Sequence, residues 1–164
     1  SSMTTCRPTS TMIMKTMIGA AAITLAAVSA HADSNEAARD RLLETKSCSA
    51  CDLTKANLRT ARLTGADLSG ATLQGADLIS ATLTKANLDS ADLSGANLIR
   101  ASLVGATLRN TSLDGAVLIQ TSLHGADLRL SRGLVQGQLD LACGDNATQV
   151  PVGLRVHICG DLSE

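Results

Sequence analysis

Phenylalanine, tyrosine and tryptophan are all absent from this 164-residue chain. Aromatic rings ordinarily supply much of the area buried in cores and interfaces, so this interior must be filled by small and aliphatic groups. The same absence removes stacking platforms for single-stranded nucleic acid, cages for quaternary ammonium groups and the aromatic girdles of outer-membrane barrels. Charge is scarce too. Asp, Glu, Lys and Arg make up 18% of the residues, with a formal net charge of −1, against about 25% charged residues in ordinary globular domains. A nearly neutral chain carries no electrostatic footprint for a polyanion, so no nucleic-acid partner is expected. Hydrophobic residues are plentiful at 45%, which argues against a disordered chain, and the length suits one domain with one core.

Residues 1–32 read as a secretory signal peptide. Ser1 and Ser2 look like a cloning remnant ahead of a start at Met3, Met12 or Met14. Lys15 supplies a positive n-region, an apolar run extends from Met17 to Val28, and Ala30-His31-Ala32 forms an A-x-A cleavage site. The apolar run is about a dozen residues, well short of the roughly 20 that span a bilayer, so no stable membrane anchor is expected. Cys6 precedes the run and is no lipoprotein attachment point. The expected mature chain begins at Asp33, in an exported and disulfide-permissive space such as the periplasm.

From residue 51 the chain is periodic. Leucine recurs at every fifth position from Leu53 to Leu128, sixteen consecutive times. The residue two places earlier is alanine except at Cys51, Thr111 and Thr121. A period of five defeats both common regular structures. On a helix, successive leucines advance by about 140° and scatter around the cylinder. On one continuous strand they alternate between faces. The leucines share an interior only if the chain turns a corner once per repeat. With alanine and leucine inward and the last two residues turning, four corners close a square coil of 20 residues. Residues 51–130 then make about four coils, a stack about 19 Å tall at the spacing of paired strands.

The unit, as in Ala66-Asp67-Leu68-Ser69-Gly70, resembles the pentapeptide-repeat family. That resemblance implies an all-β solenoid, a right-handed quadrilateral β-helix, with the sixteen leucines and their partner alanines inside. It also implies a second class of function, because members of the family that resemble DNA protect gyrase from quinolones. Residues 51–130 carry seven aspartates against seven lysines and arginines. A neutral solenoid is poor mimicry of a polyanion, and export separates it from gyrase.

A solenoid leaves raw edges at both ends unless it is capped. Residues 33–50 read as an N-terminal cap, with a short helix over 34–45, Ser34 at its N-cap and Ala38, Leu42 and Leu43 on its apolar side. Residues 131–164 read as a C-terminal cap. Its expected helix runs from Ser131 through Leu134, Val135, Leu139 and Ala142 to Gly144. After Pro151, the alternation of Val152, Leu154, Val156 and Ile158 suggests one edge strand.

Cys48 and Cys51 form a C-x-x-C motif that permits several readings: a structural pair, buried small residues, a redox pair, or none of these. Extending the register backward places both in the interior, where a catalytic thiol would be useless. Cys143 and Cys159 bracket the C-terminal cap, where a disulfide would stabilise by roughly 3 kcal/mol in the chain-entropy model. A zinc site built from Cys48, Cys51, Cys143, His157 and Cys159 has suitable ligand types but places them at opposite ends of the stack. His124 reads as an isolated outward side chain. No nucleophilic triad, phosphate-binding loop or isolated acid pair is visible, so neither enzymatic activity nor a cofactor or metal is expected.

Function must then lie on outward positions. The column following the second leucine of each coil is Arg59, Ile79, Ile99 and Ile119. The three aligned isoleucines, beside outward Val117, form an apolar stripe among polar columns, the expected contact surface for a protein partner or a homodimer.

Overall fold

The computed structural model describes residues 35–160 of the chain. The expected signal peptide and the expected cap at Ser34 lie outside the described residues. Helix α1, residues 35–45, leads into the repeats. Lys46, at φ 59°, ends it in the left-handed conformation, with its N–H donated back to the carbonyl of Leu42 at 2.9 Å. Leu42 is fully buried and joins the same core cluster as the repeat leucines. Leu43, expected beside it on the apolar side, is exposed instead; it lies about 100° around the helix from Leu42.

Each repeat makes one turn. The N–H of the alanine that opens a repeat bonds the carbonyl of the preceding leucine, as from Ala56 to Leu53 at 3.0 Å and from Ala86 to Leu83 at 3.0 Å. The residue before each alanine has positive φ, as at Lys55 (55°), Gly65 (68°) and Arg100 (58°). A turn with positive φ at its third residue favours glycine there, which accounts for the glycines that close many copies. Lysine, serine, asparagine, arginine and glutamine occupy the same corner elsewhere, and β-branched Thr60 also adopts it at φ 56°. Such a conformation costs on the order of 1 kcal/mol or more in a non-glycine residue. The closed coil imposes it nonetheless.

The coils stack in parallel with a register of 20 residues, from Ser47 on Asp67 through Ser112 on Arg132. The sides are too short to form extended strands. Each contributes a single bridge, centred on the residue between alanine and leucine. Thr72 shows the pattern: its N–H donates to Cys51 O at 2.8 Å, and its carbonyl accepts from Leu53 N at 2.7 Å. A further bond at the corner, such as Lys55 N to Gln74 O at 2.8 Å, completes the ladder. Buried backbone groups are thereby paired without long strands.

Every leucine from Leu53 to Leu128 is at most 2% exposed. The partner alanines lie beneath them, and a tube lined in this way has no space for a ring. The two threonines that replace alanine are also fully buried. Their hydroxyls donate to carbonyls within the stack, Thr111 to Leu88 and Thr121 to Leu98, each at 2.7 Å. These bonds remove the cost of placing a hydroxyl in an apolar tube.

The C-terminal segment differs from the expectation. Ser131 starts no helix; its hydroxyl donates to Leu128 O, and the repeat register persists to Arg132. Gly133 then takes φ 70°, and a Cβ there would meet Asp114 at 2.7 Å. Helix α2 is therefore confined to Gln136–Leu139. Leu134, Leu139 and Ala142 are buried, whereas Val135 is exposed. Gln138 fastens this turn to the last repeats, its Nε2 donating to the carbonyls of Leu113 and Ala116 at 2.8 Å. The alternating residues after Pro151 form no edge strand. Leu154 N–H closes a turn onto Pro151 O, Val152 is fully exposed, and pairing is limited to one bridge between Gly144 and Ile158. Leu154 and Val156 still pack against the core.

Candidate interaction face

Parallel register places Arg59, Ile79, Ile99 and Ile119 one above another. The ladder shows this directly: Thr60 N bonds Ile79 O, Ser80 N bonds Ile99 O, and Arg100 N bonds Ile119 O, at 2.9, 2.9 and 3.0 Å. The next bond in the series runs from Gln120 N to Leu141 O at 2.7 Å. Leu141 therefore occupies the following position in the column. Counting by twenty misses it, because the segment between Arg132 and Cys143 shifts the register: Ser122 pairs with Cys143, not with residue 142.

The column is not uniform. Its first member, Arg59, is exposed and paired with Asp77 at 2.9 Å. Ile79 and Ile99 are half-buried, flanked by neighbours in the same coil. Ile119 is 39% exposed and Leu141 56%. Val117 stacks on Asn97 in the adjacent column and is half-buried. From Ile79 onward the column is aliphatic and becomes more exposed toward the C-terminal end.

Four other features were singled out by their residue types. Cys48 and Cys51 are joined as a disulfide, as are Cys143 and Cys159. The first pair is almost wholly buried; the second is half-buried and ties the segment after α2 to the chain's last described residues. His124 is half-buried rather than free, its Nδ1 sharing a hydrogen bond with Ser122 Oγ at 2.8 Å. Among the described residues no group of His, Cys, Asp and Glu is arranged to hold a metal ion, and no helix is long and apolar enough to cross a membrane.

One ion cluster was not anticipated. Asp127, mostly buried, accepts from Arg129 Nε and Nη2 at 2.9 and 2.8 Å and from Arg109 Nε at 2.6 Å. The arginines come from stacked positions of successive coils, a proximity visible only once the register of 20 is imposed. Arg129, chiefly, and Arg109 hold the Asp127 carboxyl far below the usual carboxylate range, against the opposing effect of burial. Its folded-state pKa lies under its unfolded one, so its contribution to stability is complete above about pH 4 and is lost as pH falls from there. Asp127→Asn is expected to lower the melting temperature at neutral pH, with the gap to wild type narrowing steadily as pH falls below about 4. Calorimetry across that range checks it; a gap independent of pH would assign the loss to packing instead.

The chain matches the family model for pentapeptide repeats, with 8 copies over residues 47–78, 61–98 and 96–132. The chain belongs to the pentapeptide-repeat family. Its members form right-handed quadrilateral β-helices, the architecture into which the bridges and turns above assemble. Solved relatives include a pentapeptide repeat protein of the Arabidopsis thaliana thylakoid lumen, 30% identical over 62% of this chain and 77% of that one, with a TM-score of 0.39. Rfr23 from the cyanobacterium Cyanothece 51142 is 28% identical over 70% of this chain and 98% of its own, with a TM-score of 0.38. QnrB1, a plasmid-mediated fluoroquinolone resistance protein, is 22% identical over 58% of each chain, with a TM-score of 0.42. No curated protein matches this pentapeptide-repeat protein.

Proposed function

We propose that this pentapeptide-repeat protein is an exported, non-catalytic binding scaffold that receives a protein partner, or a second copy of itself, on the column Ile79, Ile99, Ile119 and Leu141, with Val117 beside it. The continuation of the column onto Leu141 carries the reading. Four aliphatic side chains from four levels of the stack share one line, although the last belongs to a segment of different local structure. Single exposed aliphatic residues need no explanation; an aligned set that grows more exposed along its length is a contact surface. The seven acids and seven bases of residues 51–130 favour an apolar contact over mimicry of a polyanion.

In this reading residues 33–50 and 131–164 cap a repeat body of about four coils over 51–130. Helix α1 places buried Leu42 against the first repeats, and Asn35 donates to Thr54 O at 2.6 Å. Gln138 does the corresponding work at the other end. Export rests on the n-region, apolar run and Ala30-His31-Ala32 site. N-terminal sequencing of protein released by osmotic shock is expected to begin at Asp33; an uncleaved cytoplasmic chain would refute export without touching the binding face. The binding face itself is tested by ultracentrifugation and pull-down with the isoleucine variant described in the Discussion.

A further inference from the structure

The Cys48–Cys51 disulfide is set among groups that a buried structural crosslink does not require. Arg41, on α1, directs Nη2 to Cys51 Sγ at 2.6 Å and lies 3.7 Å from Cys48 Sγ. The carbonyl of Ala38, also on α1, lies 3.5 Å from Cys48 Sγ. In a disulfide neither sulfur carries a hydrogen, so this contact becomes a hydrogen bond only when Cys48 is a thiol. A guanidinium beside sulfur likewise stabilises a thiolate far more than a disulfide. Helix α1 thus supplies a partner for each cysteine of the reduced pair. Cys48, despite its burial, lines a surface depression of about 330 Å³ together with Arg41, Thr45, Ser47 and Ser49. The frame around the pair does not depend on the sulfur bond. Cys48 N bonds Asp67 O, Cys51 N bonds Cys48 O, and Cys51 O accepts from Thr72.

We propose that Cys48–Cys51 is a thiol–disulfide exchange site, opened by a dithiol reductant at Cys48 with Cys51 leaving as a thiolate held by Arg41. A thiolate of the reductant enters the depression and attacks Cys48 Sγ. A mixed disulfide forms with Cys48, the Cys48–Cys51 bond breaks, and its electron pair passes to Cys51 Sγ beside the guanidinium. The second thiol of the reductant, as thiolate, attacks its own sulfur in the mixed disulfide. The reductant leaves as a cyclic disulfide, and Cys48 takes a proton and donates to Ala38 O. Two electrons move from the dithiol to the protein pair. Exchange accelerates when the departing thiol has a lowered pKa, which is the role of Arg41 as a positioning residue. Cys143 and Cys159, among the described residues, have no such arginine contact and serve as the internal reference.

The test uses the full chain with Cys6 blocked by alkylation. Dithiothreitol is added, samples are quenched in acid and alkylated, and both disulfides are followed by peptide mass spectrometry. In Arg41→Met the opening rate of Cys48–Cys51, taken relative to Cys143–Cys159, is expected to fall about tenfold, and Arg41→Lys is expected to restore most of it. A separate acid-quenched reaction with glutathione is expected to place the adduct on Cys48. An unchanged ratio in Arg41→Met, a Lys variant no faster than Met, or an adduct on Cys51 would overturn the proposal. So would a Cys48–Cys51 pair that stays closed while Cys143–Cys159 is fully reduced. Circular dichroism of each variant separates loss of the fold from loss of the exchange.

Discussion

Leu88→Lys is expected to abolish folding, whereas Asp89→Lys yields a folded protein with a modest loss of stability. Leu88 is fully buried in the middle of the leucine stack. Placing an ammonium there leaves an unpaired charge with no aqueous route out of a closed tube, at several kcal/mol. A domain of this size has a total stability of only about 5–15 kcal/mol. The penalty also falls at the centre, where levels above and below depend on the same coil. Asp89 lies on the outer side but is not fully solvated: it is half-buried, and its Oδ1 accepts from Arg109 N at 2.9 Å. Its replacement forfeits one hydrogen bond, about 1 kcal/mol. Thermal unfolding followed by circular dichroism distinguishes the two. Similar melting temperatures would invalidate the division into inside and outside.

Replacing Ile79, Ile99 and Ile119 together by threonine is expected to weaken any self-association or partner binding strongly while the monomer stays folded. Threonine keeps the β-branched shape suited to a short strand side. Complete burial of an aliphatic side chain is worth about 1.5–3 kcal/mol. Ile79 and Ile99 are already half-covered within the monomer, which reduces the expected gain to about 1 kcal/mol per residue. The triple variant should therefore weaken association about a hundredfold, at 1.4 kcal/mol per tenfold. Leu141→Ser, at the most exposed member of the column, should cost a further factor of about ten. Sedimentation of wild type and variants decides for a second copy, and pull-down from the exported fraction for a foreign partner. A monomeric wild type that captures nothing would remove the functional reading of this face.

How much was legible beforehand depended on whether a feature repeats. The interior was readable residue by residue, because a period of five leaves the leucines one shared location. The exceptions at Thr111 and Thr121 fit the same frame, their hydroxyls finding carbonyls three residues beyond a full coil. The C-terminal segment departs from the sequence pattern where that pattern looks most regular. The helix expected from Ser131 ignored the persistence of the repeat to Arg132 and the left-handed Gly133, and the alternation from Val152 to Ile158 passed over the turn at Pro151 and Gly153. A period of twenty carries the stripe as far as Ile119, but its continuation on Leu141 depends on the shift in register at Ser122 and Cys143.

The sequence alone determined the coil, its 20-residue register and its leucine-lined interior, because one spacing repeated sixteen times admits a single way of burying all its leucines together. Tertiary structure decided what the repeat does not encode. It brought Arg109 and Arg129 onto Asp127 across successive levels, set Arg41 on Cys51 from a helix that precedes the coils, and extended the apolar column onto Leu141. Each of these contacts joins residues whose separation follows from where the chain leaves or enters the stack. A period specifies the stack itself, whereas its ends are set by packing against whatever surface the last coil presents.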